Sequence, residues 1–275
     1  MSVIQPPRDF DNLKQLSSWI GSDPTLVQGP GGNTSIKNEE SIWVKASGTK
    51  LRDAESKNIF VSLKRNSGLP DPVTQQLVGS IETNLHLLID APVVAHTHST
   101  TSIAVGFRED LQDLVQAFGR TVIIPYLRPG SALAQGVGNF VDTSIHNFAV
   151  LRNHGLLVWG DSAEEVKQLI LLFEKSFKKV LEYTESDLSD AKSSLRFGQT
   201  NRYLTPDHAV FLDSAALTNI QRGLSEADWL DEMFEQLSIV LAASLKSKSL
   251  SWLEKEEVME LRNWDSEKKR KDANK

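Results

Sequence analysis

Cysteine is absent from this chain of 275 residues. Its absence excludes a disulfide framework, a thiolate nucleophile, Cys-ligated zinc and an iron–sulfur cluster. A tightly held transition metal has only the six histidines and the carboxylates to bind it. Long apolar runs are missing too: none approaches the roughly 18 residues of a membrane helix, and residues 1–10 have no signal-peptide apolar core. The expectations are no membrane association and a cytoplasmic address. Nor is there an excess of positive charge. With 30 Lys and Arg against 36 Asp and Glu the formal charge is −6, which disfavours nucleic acid as a partner, because that role needs a basic face.

What is present is a globular composition, 40% apolar and 24% charged, sufficient for one large α/β unit or two small ones. Phe10, Leu13, Leu16 and Ile20 predict a first helix, stopped at Gly21-Ser22-Asp23-Pro24 because proline lacks a donor. β-rich runs follow at 41–46, 59–63, 93–98 and 121–127. Two more, 148–152 and 156–159, flank Asn153-His154-Gly155, a tight hairpin turn in residues that tolerate positive φ. The spacing of Leu77, Val78, Ile81, Leu85 and Leu88 predicts a helix over 74–89. Ser162 with Glu165 forms a capping-box pattern, and Val166, Leu169, Ile170, Phe173, Phe177, Val180 and Leu181 give the buried stripe of the helix it starts. Interleaved helices and strands predict a mixed α/β layer fold. After Asp213 the composition turns to helix formers, with Trp229, Met233, Leu237 and Val240 on one face. The expected division is 1–212 for the α/β domain and 213–275 for a helical extension, with Lys268-Lys269-Arg270-Lys271 as a solvated tail.

His96-Thr97-His98 ends a β-like run, where residues two apart share a face, so both imidazoles can chelate one ion. Alone, the pair reads as two hydrogen-bonded core histidines. His154, in the turn, reads either as a histidine facing solvent or as a third ligand; as the latter it changes the reading, because three neutral imidazoles with an open fourth position describe a catalytic zinc site, and such a metal polarises a substrate oxygen. Glu82, with His86 one turn later, is the candidate base; its alternative is an ordinary surface carboxylate. Two glycine-bearing loops, Gly29-Pro30-Gly31-Gly32-Asn33-Thr34-Ser35 and Ser47-Gly48-Thr49-Lys50, match neither a Walker loop nor a Rossmann fingerprint, yet their backbone N–H groups can cradle an anion.

Gly31-Gly32-Asn33-Thr34-Ser35, Ala46-Ser47-Gly48-Thr49, Glu82, His96-Thr97-His98 and Asn153-His154-Gly155 occur in the order found in the class II aldolase/adducin family. The chain resembles that family over roughly residues 10–213. The resemblance implies a three-layer α/β/α domain around a central, largely antiparallel sheet, assembled as a homotetramer with interfacial sites. It implies that His96, His98 and His154 bind a divalent metal, usually Zn2+, and that Glu82 is the acid/base. Tyr126 would reach a neighbouring subunit's site to serve the departing alkoxide; otherwise it is a buried strand-end tyrosine. Gly32, Asn33, Ser47, Gly48 and Ser80 match the family's phosphate pocket, whereas Ile81 stands where a hydroxyl is usual and Pro30 where a threonine is. Tyr126-Leu127-Arg128-Pro129-Gly130 is similar to the aldolase half of bifunctional rhamnulose-phosphate aldolase/dehydrogenase proteins. His208 reads as a structural surface residue that could instead face the site.

The expected function is metal-dependent aldol cleavage of a small carbohydrate, a ketose or ketose 1-phosphate, through an enediolate. The alternatives are an epimerase, decarboxylase or dehydratase of a sugar acid on the same metal site, and a non-catalytic adducin-like interaction module.

Overall fold

The computed structural model of the chain describes residues 6–65, 77–196, 203–245 and 247–274. In chain order the elements are α1 (Phe10–Ser22), β1 (Asn33–Lys37), β2 (Ser41–Lys45), β3 (Phe60–Lys64), α2 (Thr83–Leu88), β4 (Val93–Thr97), α3 (Thr100–Val105), α4 (Leu111–Phe118), β5 (Thr121–Ile124) and α5 (Ser131–Phe140). They continue with β6 (Phe148–Leu151), β7 (Gly155–Gly160), α6 (Ala163–Phe177), α7 (Glu185–Arg196), α8 (Pro206–Phe211), α9 (Ser214–Gln221), α10 (Asp228–Ser244), α11 (Lys255–Asn263) and α12 (Asp265–Asp272). No helix among the described residues is long and apolar enough to cross a membrane.

The strands form one sheet in the order β3-β2-β1-β4-β7-β6-β5. The expectation of a largely antiparallel sheet is corrected to a mixed one, because β5 runs parallel to β6 while the other neighbours pair antiparallel. The cause is the connection: α5 crosses from β5 to β6, and such a crossover returns the chain in the same direction. β5 stops at Ile124, short of the expected 127, since Pro125 has no N–H for the ladder.

Side-chain alternation along the central strands feeds two apolar layers. Val93, Ala95, Phe148, Val150, Leu156 and Val158 point to one face, against α1, α4 and α6. Val94, Ala149, Leu151, Leu157 and Trp159 point to the other, against Leu85 and Ile89 near α2 and Leu133 and Val137 of α5. Helices therefore cover both sides of the sheet. On the first face Phe118, Phe148, Phe173 and Phe177 pack with ring centroids 4.7–6.0 Å apart. Ser162 caps α6 by accepting the Glu165 N–H at 3.1 Å, while the Glu165 carboxylate takes the Asp161 N–H, one residue away from the expected box partner.

The helix expected over 74–89 is largely replaced. Only Thr83–Leu88 is helical; residues 77–80 are irregular with an isolated bridge from Gly79 to Ala46, residues 81–82 form a turn, and residues 74–76 lie outside the described ones. The chain here pairs with the end of β2 instead: Ser47 N–H bonds Val78 O and Ser80 N–H bonds Lys45 O. Val78 and Leu88, expected on the apolar face, are 76% and 50% exposed. β1 was not among the expected strands, yet it sits centrally between β2 and β4 with every residue buried.

The C-terminal helices gather at one end of the sheet. Tyr203, Leu204, Val210, Phe211, Trp229, Met233, Phe234, Leu237 and Val240 pack with Ile103, Ala104 and Phe107, at and just after α3. α3 follows directly on the His96–His98 strand end, so these helices roof the region where the histidines lie. Phe173 is fully buried between the aromatic rings of α4, β6 and α6. Phe173→Ala is expected to cost about 3–5 kcal/mol, read as a lower urea midpoint at unchanged slope.

Candidate metal centre

His96 lies in β4 on the same face as Val94, the face that carries α2. His98 follows one residue beyond the strand, and its Nε2 is 3.1 Å from His96 Nε2. The third imidazole arrives on the β6–β7 hairpin. Asn153 adopts φ +57°, the left-handed turn conformation that asparagine tolerates. Gly155 then packs so closely that a Cβ there would lie 2.1 Å from Thr97 O. Only a glycine allows the hairpin to reach the end of β4, and this approach puts His154 Nε2 3.3 Å from His96 Nε2.

Glu82 occupies the N-cap position of α2 and completes the cluster. Its carboxylate lies 3.3 Å from His154 Nε2 and 3.6 Å from His96 Nε2. One ligand atom from each of Glu82, His96, His98 and His154 lies within 4.8 Å of the others, and all four residues are at most 5% exposed. Asn33 holds the carboxylate, donating from Nδ2 at 2.8 Å. It can do so because the β1–β4 register sets Asn33 directly opposite His96. The Asn33 carbonyl oxygen in turn meets His86 Nε2, and His86 Nδ1 lies 2.7 Å from Ser35 Oγ. Lys37 Nζ donates to His86 O and Ile89 O at 2.7 and 2.6 Å, tying down the last turn of α2. One polar edge of β1 thus fixes the helix that carries Glu82.

The protonation states suit a cation. His96 Nδ1 faces Leu156 O at 3.1 Å, and a carbonyl can only accept, so the proton is on Nδ1 and Nε2 is bare. His98 Nδ1 lies 3.0 Å from a carboxylate oxygen of Asp207. Burial lowers His96 below its usual pKa and brings His154 down to about 3, so both are neutral at pH 7. Burial pushes Glu82 up, but the imidazoles and the Asn33 hydrogen bond outweigh it and hold the carboxyl at about 2. Glu82 Oε1 is buried without a hydrogen-bond partner. Inward lone pairs at 3.1–3.3 Å beside an unpartnered carboxylate oxygen fit a divalent cation, which would attract them all.

The structure brings Gly32, Asn33, Ser47, Gly48 and Ser80 around one narrow cleft beside Glu82, together with Pro30, Lys45, Ile81 and Arg270. Sequence reasoning missed both cations. Lys45 is buried in β2 with Nζ donating to Pro30 O and Thr49 O at 3.0 and 2.7 Å; burial, then Arg270, lowers it to about 7. Arg270 was expected in a solvated tail. It is instead buried against Asp207 and Glu267, its charge matched by two carboxylates, while Lys271 pairs with Asp213 at 2.6 Å and Asn274 donates to Gly48 O at 3.0 Å. The run of charged residues in α12 gave no sign of this, because Asp207 and Asp213, the partners outside the helix, lie more than fifty residues away in sequence.

Tyr126 is not among the groups around Glu82. Its hydroxyl is buried without a partner, and burial followed by the neighbouring Glu257 pushes its pKa up. Its loop is pinned by Arg128, which bonds Glu260 of α11 at 2.8 Å. His208, expected at the surface, is fully buried, because α10 packs over it: His208 Nε2 meets Gln236 Oε1 at 3.1 Å, and Gln236 donates to His98 O. Burial outweighs the Gln236 bond and lowers His208 to about 4. The unfolded chain takes up this proton near pH 6.5 and the folded one only near 4, so the stability due to a neutral His208 is present above pH 6.5 and lost as the pH falls to 4. His208→Gln is expected to remove about 3 kcal/mol of that acid-side slope, measured by urea unfolding at stepped pH.

The model of the Class II Aldolase and Adducin N-terminal domain matches residues 14–181. YuxG of Bacillus subtilis, described as an uncharacterized oxidoreductase, is 29% identical over 197 residues, 60% of this chain; the chain spans only 28% of that protein's length. An L-fuculose phosphate aldolase of Methanococcus maripaludis is 29% identical over 154 residues, 52% of this chain and 80% of its own. A methylthioribulose-1-phosphate dehydratase of Danio rerio is 22% identical over 189 residues, 59% and 78% of the two chains. Among solved structures, the N-terminal class II aldolase domain of a conserved Thermoplasma acidophilum protein matches with TM-score 0.56 and 25% identity over 66% of this chain and 98% of that one.

Proposed function

The chain belongs to the class II aldolase and adducin family, and we propose from that premise that it is a metal-dependent lyase acting on a small carbohydrate. The observation that carries this reading is the convergence of three buried imidazoles on one buried carboxylate. His96, His98 and His154 would hold the metal, with Zn2+ suited to an imidazole set. When bound, the cation supplies Lewis acidity toward a carbonyl oxygen.

The chain's own groups do the rest. Glu82 is held as a carboxylate by Asn33 and is aimed at the cation position. In the direction of aldol synthesis it removes the proton from the carbon next to the carbonyl; in cleavage it returns a proton to the same carbon of the enediolate. The cleft formed by Gly32, Asn33, Ser47, Gly48 and Ser80 is the proposed seat of the substrate's anionic end, and Lys45 offsets the donors that Pro30 and Ile81 lack. Tyr126 would act across a subunit boundary in a homotetramer, in the cytoplasm, on the aldehyde oxygen. A ketose 1-phosphate suits this arrangement, and one relative is named L-fuculose phosphate aldolase.

A dehydratase on the same centre is the second reading, favoured by the relatives named methylthioribulose-1-phosphate dehydratase. There Glu82 removes a carbon-bound proton and a carbon–oxygen bond then breaks, whereas in aldol cleavage a carbon–carbon bond breaks first and Glu82 protonates the enediolate that is left. Metal analysis of the purified protein, followed by a product screen over ketoses with and without a terminal phosphate, separates the two. Two carbonyl fragments mark aldol cleavage, and one dehydrated product marks the dehydratase. Glu82→Gln is expected to keep the metal while slowing exchange of the substrate's carbon-bound proton by about 10²–10⁴-fold. Exchange at the unaltered rate removes Glu82 from its role.

A further inference from the structure

Residues 14–181 carry the family match, yet the ring of His98 is oriented from outside them. Thr205 caps α8 by accepting the His208 N–H, Pro206 opens the helix, and Asp207 follows in its first turn, 5% exposed. One Asp207 oxygen lies 3.0 Å from His98 Nδ1, and the other takes the Arg270 guanidinium. Arg270 is held in its turn by Glu267 Oε2 at 2.8 Å and lies with its guanidinium carbon 5.0 Å from the Phe211 ring centre. Gly31 lies against this contact: a Cβ there would come within 2.8 Å of both Asp207 Oδ2 and His98 Nδ1. The backbone of His98 is fixed independently, by Gln236 of α10.

The three imidazoles therefore differ behind the ring. His96 rests on a neutral carbonyl, His154 Nδ1 is buried without a hydrogen-bond partner, and His98 alone is backed by a carboxylate. We propose that Asp207 is a positioning residue for metal binding, which fixes the His98 proton on Nδ1 and strengthens Nε2 as a donor, and that Arg270 locks Asp207 in the rotamer that does so. A carboxylate behind a metal-bound imidazole sets its tautomer and raises its basicity. The C-terminal helices are on this account part of the metal centre. The inference rests on the reading of the histidine cluster as a metal site.

The test is Zn2+ affinity, measured by competition with a chromophoric chelator, alongside the visible spectrum of the Co2+-loaded protein. Asp207→Asn preserves size and leaves an oxygen to accept from His98, but removes the charge. Its Zn2+ affinity is expected to fall about 10–100-fold, with an altered Co2+ spectrum and unchanged far-ultraviolet circular dichroism. Asp207→Glu is expected to recover part of the loss. Arg270→Gln, which leaves every group in contact with His98 in place, should weaken Zn2+ several-fold and serves if Asp207→Asn fails to fold. Wild-type affinity and spectrum in a folded Asp207→Asn protein, or in the Arg270→Gln protein where that alone folds, overturn the positioning role and leave the metal reading standing. A wild-type protein that binds neither ion overturns both.

Discussion

A carboxylate and three imidazoles removed from water must find either protons or a cation between them. Glu82, His96, His98 and His154 are all nearly inaccessible, and their inward atoms lie close enough to repel as bare lone pairs and a negative charge. A buried charge without a partner is among the costlier features a fold can carry. Much of the structure around them reads as the means of holding this arrangement. The hairpin glycine permits the approach of His154, and the β1–β4 register delivers Asn33 to Glu82. Backbone and carboxylate acceptors turn two of the rings inward.

The parts that do this come from opposite ends of the chain. β1 contributes a polar edge, Asn33, Ser35 and Lys37, that grips the short helix α2 through His86 and two carbonyls. The C-terminal helices contribute Asp207, Gln236 and Arg270. The Asn153 side chain bonds Leu204 O and Ser251 O, so the hairpin bearing His154 is also anchored to the C-terminal region. The sheet supplies the frame, and the segments at its edges set the angles of the rings.

What could be read from the sequence follows from how locally each feature is determined. His96 and His98 share one short stretch, and the Asn-His-Gly turn announces its own positive φ, so the three imidazoles and the strands bearing them were legible. The aromatic stripe of α6 was legible for the same reason. β1 was not, because its only large apolar residue is Ile36 and a buried polar strand looks like a loop until its partners are known. The expected helix over 74–89 had a suitable apolar spacing, but pairing of Ser47 and Ser80 with their long-range partners overrode it. Lys45, His208 and Arg270 were misjudged or missed because their burial is created by segments far away in the chain.

The helix α12 has no apolar side chain at all, and Arg270, Lys271 and the nearby Asn274 attach it by charge, by hydrogen bonding and by the contact of Arg270 with the Phe211 ring. Of these contacts the half-exposed Lys271–Asp213 pair is the one that rising salt screens, whereas Arg270 is sealed with its two carboxylates away from water and keeps its grip.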